Sequence, residues 1–289
     1  GVTECLPEGG TRWHAQACWI KPAQLVKAWL AQPGVRFVGG RNVTKLARMK
    51  GVWHLFDAEG ELLGDFEAVV AANAMGCVDL LSNLPSDDAT SAALHNKLQT
   101  LQTVYGTLSH GRYAQDVAGL PQAPVNGDGC FIPRMNDTSG VQWFAGSTFE
   151  TDAVLAADGP AQHAANMERL QRLVPLPGID LIEALNRAPV SLWSSARCVT
   201  HDRMPLVGPV DHASGPGLWL CAGMGSRGLS FSALCAELLV ARMGAEPLPL
   251  EFSLSRCLDA NRIRHRHAAG AKNNAGLRPF AANPPPGVG

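Results

Sequence analysis

The spacing of apolar residues predicts four helices. Apolar side chains share one face from Pro22 to Ala31, with a proline that suits the first helical turn. A second stripe runs from His163 to Val174 and ends before a proline, and a shorter helix covers 181–188. The run Leu229–Met243 is apolar on almost every side, which predicts a helix buried between layers.

Shorter runs rich in β-branched and aromatic residues predict strands. Residues 35–38 form one such run, and the segments 52–56 and 62–70 flank a turn in the manner of a hairpin. Residues 66–73 and Leu218–Ala222 are more uniformly apolar, as buried strands are. We expect these two buried strands to lie in one layer.

The middle of the chain has a different pattern. From residue 98 to about 150, short β-prone runs alternate with glycine and proline turns, which predicts a separate antiparallel sheet. Residues 83–97 are rich in Ser, Asp, Asn and Pro and are interpreted as an exposed linker, and the composition of 279–289 predicts disorder. These segments indicate a mixed architecture with α/β and α+β character.

Composition narrows the function classes. The 289 residues carry a formal net charge of −1, so contact with nucleic acid needs a local basic patch. The eight cysteines include no C-x-x-C spacing, which favours reduced thiols in a cytoplasmic protein over a zinc site or another bound metal. No apolar run is long enough to span a membrane. Because the chain starts at Gly1 rather than methionine, we interpret it as a fragment or a processed product.

The strand Leu218–Ala222 leads into a glycine-rich turn that opens a helix. Such a turn aims free backbone N–H groups and the positive end of a helix dipole at one point, which suits a flavin ring edge or a phosphate. Residues 223–228 also match the pattern G-x-G-x-x-G, which in dinucleotide-binding folds is followed about 20 residues later by an acidic residue at the end of a strand. Glu246 lies near that distance, but two prolines follow it, and proline cannot form the hydrogen bonds of a central strand. A dinucleotide fingerprint is therefore disfavoured, and a glycine turn without a ligand remains an alternative.

Six motifs, spread over roughly residues 9–266, together support a family resemblance. They are 127–133, 144–149, 196–208, 223–229, 233–239 and 258–262. In combination they resemble glycine-oxidase-type and D-amino-acid-oxidase-type flavoenzymes, and more narrowly the FAD-dependent domain of bifunctional tRNA 5-methylaminomethyl-2-thiouridine biosynthesis proteins. The resemblance implies FAD as the cofactor.

The same resemblance implies two interleaved domains, as in D-amino-acid-oxidase-like proteins. A partial FAD-binding domain of the glutathione-reductase-like Rossmann type would comprise residues 1–96 and 196–268, with an antiparallel-sheet substrate domain at 97–195. Residues 269–289 would be a disordered tail. The FAD-binding layer would be incomplete, because the family's N-terminal dinucleotide motif is not in these residues. The methyltransferase half of the bifunctional proteins is also absent from them.

Arg197 is the strongest single candidate for the site. A planar guanidinium can hold a carboxylate with two parallel hydrogen bonds. In the flavoenzymes that the chain resembles, the arginine at this motif position holds the substrate carboxylate. We expect Arg197 to be the catalytic substrate clamp and Arg227 a second substrate contact. The alternatives are an ordinary salt-bridged arginine for Arg197 and a side chain pointing to solvent for Arg227.

The residues expected to contact FAD lie at the glycine turn and at the end of the 66–73 strand. Backbone N–H groups and a hydroxyl there would satisfy a flavin carbonyl and stabilise the negative charge of the reduced ring. The predicted cofactor-binding residues are Ala72, Asn73, Gly223, Gly225, Ser226, Arg227, Gly228 and Leu229.

Residues beside Arg197 are more readily explained by structure. His201 and Asp202 are expected to be features of the fold, and no base partner for thiolate catalysis can be assigned to Cys198. The pair Tyr105-Gly106 stands where the similar flavoenzymes tend to carry Arg-Gly or Lys-Gly. One edge of the site is therefore expected to differ.

The resemblance also implies a reaction. It is the oxidation of a carboxymethylaminomethyl group on a wobble uridine of tRNA, with release of glyoxylate and formation of an aminomethyl uridine. Arg262, Arg264 and Arg266 are candidate tRNA contacts, with a solvated basic tail as the alternative. We expect a monomer. The alternative functions are an oxidase of free glycine-like or D-amino acids and a non-catalytic fragment that lacks stable FAD.

Overall fold

The computed structural model describes residues 3–5, 12–84, 94–138, 140–210 and 217–262. The predicted tail, Arg264, Arg266 and most of the predicted linker lie outside these residues. Within them the named helices are α1 (Pro22–Leu30), α2 (Gly76–Ser82), α3 (Ala153–Ala157), α4 (Gly159–Leu173), α5 (Leu181–Asn186), α6 (Gly228–Gly244) and α7 (Phe252–Cys257). Residues 94–98 are also helical.

The strands of the same residues form four sheets. They are β1 (Thr3–Cys5), β2 (Arg12–His14), β3 (Lys45–Met49), β4 (Val52–Phe56), β5 (Leu62–Phe66), β6 (Val69–Ala71), β7 (Leu101–Arg112), β8 (Val125–Gly127), β9 (Gly129–Asp137), β10 (Gly140–Gly146), β11 (Val190–Thr200), β12 (Leu206–Pro209) and β13 (Leu218–Ala222).

A three-stranded sheet of order β12-β13-β6 lies in the main apolar core. Strand β13 runs parallel to β6, with Leu220 opposite Ala71, and antiparallel to β12. Leu218 and Leu220 are buried, as the apolar run predicted. The prediction that the two buried strands share one layer is confirmed. The predicted single strand over 66–73 is wrong in extent, because the chain leaves one sheet at the end of β5 and enters another at β6.

A five-stranded antiparallel sheet of order β11-β7-β10-β9-β8 occupies the middle of the chain. Its long strands β7 and β11 pair from Leu101 opposite Thr200 to Gly111 opposite Val190. Helix α4 packs against one face, where Phe131 and Trp143 are fully buried. The antiparallel sheet is confirmed. Strand β11 runs through the predicted boundary at residues 195 and 196, so that division stays a proposal.

A third sheet, β3-β4-β5, contains the predicted hairpin and one strand that was not predicted. Strand β3 joins β4 through Lys50-Gly51, both of which have positive φ angles. Gly51 suits such a two-residue turn, but Lys50 is not one of the residue types that favour its first position, so the sequence signal is weak. The predicted strand at 35–38 is wrong, because these residues form an exposed irregular segment that pairs with no strand in the described part of the chain.

The predicted linker is wrong at its end. Residues 94–98 are helical, and Leu94 and Leu98, one turn apart, are buried in the main core. The polar composition of the segment concealed this pair of apolar residues.

Helix α4 starts before the predicted His163, because the Asp158 carboxylate accepts a hydrogen bond from the N–H of Ala161 at 3.0 Å and caps the helix.

Helix α6 has the predicted position but not the predicted burial. Cys235, Leu238 and Leu239 pack against β12 and β13, whereas Val240 and Met243 are exposed. The described residues cover only one side of this helix, so burial between two layers is wrong here. No helix within the described ranges is long and apolar enough to cross a membrane.

Candidate functional site

The glycine turn packs against the end of β11. Gly223 and Gly225 have φ angles of 76° and 57°, which favour glycine. A Cβ atom at Gly223 would lie 2.9 Å from Thr200 Cγ2, and one at Gly225 would lie 3.0 Å from Val199 Cγ1. The backbone conformation and the close contact therefore both require glycine, and the turn is fixed against the strand that carries Arg197.

The turn also presents an uncapped helix start. Residues Gly225–Arg227 form a single 3₁₀ turn that leads into α6, and no side chain caps this helix. Ser226, Arg227 and Leu229 are exposed. Backbone N–H groups in the first turn of a helix need acceptors, so this edge can bind an electron-rich ligand group.

Ala72 and Asn73 follow β6 directly and are exposed. Because β6 and β13 are parallel neighbours, their carboxyl ends open on the same edge of the sheet. Ligands of open α/β sheets bind in the crevice at that edge. The predicted cofactor residues at 72–73 and at 223–229 thus come together at one sheet edge, although they are about 150 positions apart in sequence.

Arg197 lies on β11 with its guanidinium over Gly106 of the neighbouring strand, where a Cβ atom would overlap it. Its Nη2 donates to Ser147 Oγ at 2.5 Å, and its Nη1 donates to the Thr148 carbonyl at 3.5 Å. The ring of Phe149 lies 4.8 Å from Cζ. Side chains alternate along a strand, so Arg197 points to the same face as Val199, which contacts the glycine turn.

No acid within the described ranges balances the charge of Arg197. In the described part of the chain, no carboxylate lies within salt-bridge distance of its guanidinium. Burial lowers the pKa of Arg197 from its ordinary value, because removal from water disfavours the cation. The site therefore contains a half-buried cation that an anionic ligand can pair with. The alternative of a salt-bridged arginine is not supported here.

Arg227 contacts the residue Arg203 and the first turns of α6. Its Nη2 donates to the Arg203 carbonyl at 2.5 Å, and its guanidinium lies 4.8 Å from the ring of Phe231. The side chain is exposed. These contacts do not join it to Arg197, so its predicted role as a substrate contact stays a prediction.

Arg262 is a structural residue, which corrects its prediction as a tRNA contact. It forms a two-pronged ion pair with Asp202, and it also donates to the carbonyls of Met204 and Pro205. Burial alone would raise the pKa of Asp202, but hydrogen bonds from Arg262, the Met204 N–H and the Thr200 hydroxyl lower it to about 2. A guanidinium with this many partners is not available to a phosphate.

The remaining neighbours of Arg197 do not form reactive groups. Cys198 is buried, and burial raises the pKa of its thiol, which opposes thiolate formation. The ring of His201 contacts the amide of Gln102. No group of three or more potential ligands in the described ranges could hold a metal ion.

Sequence reasoning assigned no role to three residues that shape the site: Gly106, Ser147 and Phe149. Gly106 was noted only as part of the pair Tyr105-Gly106. Tyr105 was singled out, but its backbone pairs with Ala196, so its side chain does not share the Arg197 face. Ser147 and Phe149 lie in a motif noted only for its resemblance. Their role depends on the register of β7, β10 and β11, for which no local sequence signal exists.

The chain matches known proteins over most of its length. The family model described as FAD dependent oxidoreductase (DAO) matches residues 4–242. The tRNA 5-methylaminomethyl-2-thiouridine biosynthesis bifunctional protein MnmC of Albidiferax ferrireducens is 42% identical over 259 residues, covering 86% of this chain and 42% of that protein. The protein of the same name from Polaromonas naphthalenivorans is 40% identical over 247 residues, covering 85% and 37%. The chain thus spans about two fifths of the length of these relatives.

Solved structures show the fold. Iminodiacetate oxidase from Chelativorans sp. BNC1 superposes with a TM-score of 0.52 at 14% identity, covering 74% of this chain and 52% of that chain. Glycine oxidase from Bacillus cereus gives a TM-score of 0.50 at 19% identity, covering 72% and 51%. These likenesses confirm the predicted D-amino-acid-oxidase-like α+β class. With a family match over residues 4–242 of 289, the chain belongs to the FAD dependent oxidoreductase family, whose cofactor is FAD.

Proposed function

We propose that this chain is the oxidoreductase domain of a tRNA-modifying enzyme. Its reaction would be the oxidation of the carboxymethylaminomethyl group on a wobble uridine. The observation that most directly supports oxidation next to a carboxylate is the half-buried guanidinium of Arg197, which has no acidic partner within the described residues and lies on the strand that contacts the glycine turn. Relatives at 42% and 40% identity carry the name of a tRNA 5-methylaminomethyl-2-thiouridine biosynthesis bifunctional protein.

The sheet edge fits the family's cofactor. A flavin needs backbone donors that approach closely, and the turn offers left-handed glycines and an uncapped helix start. A Cβ atom at Gly228 would meet only Met224 Cβ, at 3.9 Å, so the space beside the helix start is open. We propose that FAD is held by Ala72, Asn73, Gly223, Gly225, Ser226, Arg227, Gly228 and Leu229.

When bound, FAD supplies an acceptor for the hydride that leaves the carbon next to the substrate carboxylate. Arg197 would bind that carboxylate with two hydrogen bonds and so fix the position of the adjacent carbon. Loss of a hydride from this carbon and a proton from the amine nitrogen gives an imine. Addition of water and cleavage of the C–N bond then release glyoxylate and leave a primary amine on the uridine.

The carboxylate clamp alone does not distinguish tRNA from a free amino acid. An oxidase of glycine-like or D-amino acids would use the same arginine, and a non-catalytic fragment would lack stable FAD. The names of the relatives favour tRNA, with Arg264 and Arg266 as candidate contacts. We also propose a cytoplasmic location, which suits a tRNA substrate and the free cysteines of the described chain. A monomer stays a prediction.

The test uses FAD-loaded protein with tRNA that carries carboxymethylaminomethyl uridine. We expect glyoxylate and aminomethyl uridine in equal amounts. Free glycine and D-alanine are the comparison substrates, and faster oxidation of either would support the amino-acid oxidase instead. Protein that retains no FAD after reconstitution and converts none of these substrates would support the non-catalytic fragment.

A further inference from the structure

The contacts of Arg197 differ from those of two other half-buried arginines. Arg242 and Arg262 each have a carboxylate partner, Asp259 at 3.5 Å and Asp202 at 2.9 Å. Arg197 instead contacts a hydroxyl, a carbonyl and an aromatic ring. An acidic partner would stabilise the cation but also neutralise it, whereas neutral partners fix its position and leave its charge for a ligand.

The neutral contacts come from one short segment, residues 147–149, which follows β10. This segment is anchored to the sheet, because the N–H of Thr148 donates to the Thr107 carbonyl at 3.1 Å and its hydroxyl accepts from the Thr107 N–H at 3.0 Å. From α4, Arg169 donates to the Ser147 carbonyl at 2.9 Å. The segment is therefore a fixed support rather than a free loop.

We propose that Ser147 and Phe149 are positioning residues that orient the Arg197 guanidinium toward the substrate carboxylate, and that Gly106 leaves the space which this orientation needs. The proposal rests on the proposed role of Arg197. Ser147 Oγ accepts one of the five guanidinium N–H groups, and the Thr148 carbonyl accepts a second. Three N–H groups are left, which is enough for a two-pronged carboxylate pair.

The ring of Phe149 contributes in a second way. It is 56% exposed, yet it lies beside the guanidinium, where a cation–π contact restricts the side chain of Arg197. Loss of this contact would leave the arginine in place but less ordered. The carboxylate pair would then form with a larger entropic cost, which lowers affinity without removing the charge.

Gly106 sets the sharpest geometric requirement. A Cβ atom there would overlap the guanidinium of Arg197. Gly106 is a strand residue without a positive φ angle, so alanine fits its backbone conformation. Gly106→Ala should therefore leave the sheet folded while it displaces the guanidinium.

The test compares Ser147→Ala, Phe149→Leu and Gly106→Ala in FAD-loaded protein. Two substrates are used, carboxymethylaminomethyl uridine in tRNA and its methylaminomethyl analogue, which lacks only the carboxylate. We expect kcat/KM for the carboxylate substrate to fall roughly tenfold in each of the first two variants and further in the third. Turnover of the analogue should hardly change. Phe149→Tyr, which keeps the aromatic ring, should have a kcat/KM for the carboxylate substrate close to that of the wild type.

A second readout does not depend on turnover. Acetate binding, measured by titration calorimetry, should weaken in the same three variants. Phe252→Leu is the matched control, because Phe252 is an exposed phenylalanine beside Arg256, at 5.9 Å. This control should match the wild type in both readouts.

Two outcomes distinguish a failure of the positioning role from a failure of the proposed function of Arg197. If the three variants impair both substrates equally or leave both unchanged, while Arg197→Lys impairs only the carboxylate substrate, the positioning role is wrong and the clamp stands. If Arg197→Lys itself impairs both substrates equally, the proposed function of Arg197 is wrong, and the positioning role is overturned with it.

Discussion

Arg262 holds both carboxylate oxygens of Asp202, with its Nη2 2.9 Å from Oδ1 and its Nε 3.0 Å from Oδ2. The pair joins the turn after β11 to the last described residue, 60 positions later in the chain. Since β11 also carries Arg197, this ion pair stabilises the end of the strand that positions the proposed substrate clamp.

The ion pair predicts a loss of stability in acid. The folded-state pKa of Asp202 is about 2, below the ordinary value of 3.8, so its contribution is complete above about pH 4 and is lost as the pH falls toward 2. Asp202→Asn should lower the free energy of unfolding at pH 7 by about 1–2 kcal/mol. It should also flatten the dependence of stability on pH between 4 and 2, measured by urea unfolding at each pH. An unchanged slope would show that other carboxylates dominate acid unfolding.

A substitution at Gly228 can test cofactor binding without loss of stability. It has a helical φ of −54°, and a Cβ atom there would meet only Met224 Cβ. Gly228→Ala should therefore keep or slightly raise the thermal midpoint, because alanine favours a helix by about 1 kcal/mol. If the flavin lies against this turn, the FAD content measured by absorbance should fall. Full FAD occupancy in a well-folded variant would remove Gly228 from the proposed site.

Helix α6 offers a matched pair of core and surface residues. Leu238 is 0% exposed and packs against β12 and β13, whereas Val240 is 56% exposed. Leu238→Ala should cost about 2–5 kcal/mol in the free energy of unfolding, and Val240→Ala within about 0.5 kcal/mol. Denaturant titration measures both. A large loss for Val240→Ala would show that a further layer covers this face of the helix.

The fold was predictable where periodicity and turn chemistry were both clear. Helix α1 and strand β13 lie where their apolar patterns placed them. The hairpin of β4 and β5 followed from two short runs around a turn. Strand β3 was missed because its five residues mix charged and apolar side chains, and only its pairing with β4 makes it a strand. The segment 35–38 has β-prone residues but pairs with no strand among the residues that the structure describes.

The candidate site was predictable where one motif carried its chemistry. Arg197 was singled out from its position in a motif that resembles amino-acid oxidases, and the glycine turn from its glycines, which permit a close backbone approach. Their proposed roles stay predictions. Ser147 and Phe149 are about 50 positions from Arg197 and reach it only through the order β11-β7-β10. Arg262 was assigned to tRNA because it lies in a basic run and the resemblance implies a tRNA substrate, and its ion pair with Asp202, 60 positions away, has no sequence signal. Contacts of this kind depend on long-range register, which composition and spacing do not reveal.

The most direct test of the account is Arg197→Lys in FAD-loaded protein, with Arg172→Lys as the exposed control. Lysine keeps the positive charge but cannot form the two parallel hydrogen bonds of a guanidinium. With flavin content held equal, kcat/KM is measured for tRNA carrying carboxymethylaminomethyl uridine and for its methylaminomethyl analogue. We expect a loss of at least about tenfold for the carboxylate substrate alone, since a charge-assisted hydrogen bond contributes about 1.5–3 kcal/mol. An equal loss for both substrates would contradict the role of Arg197 as a carboxylate clamp.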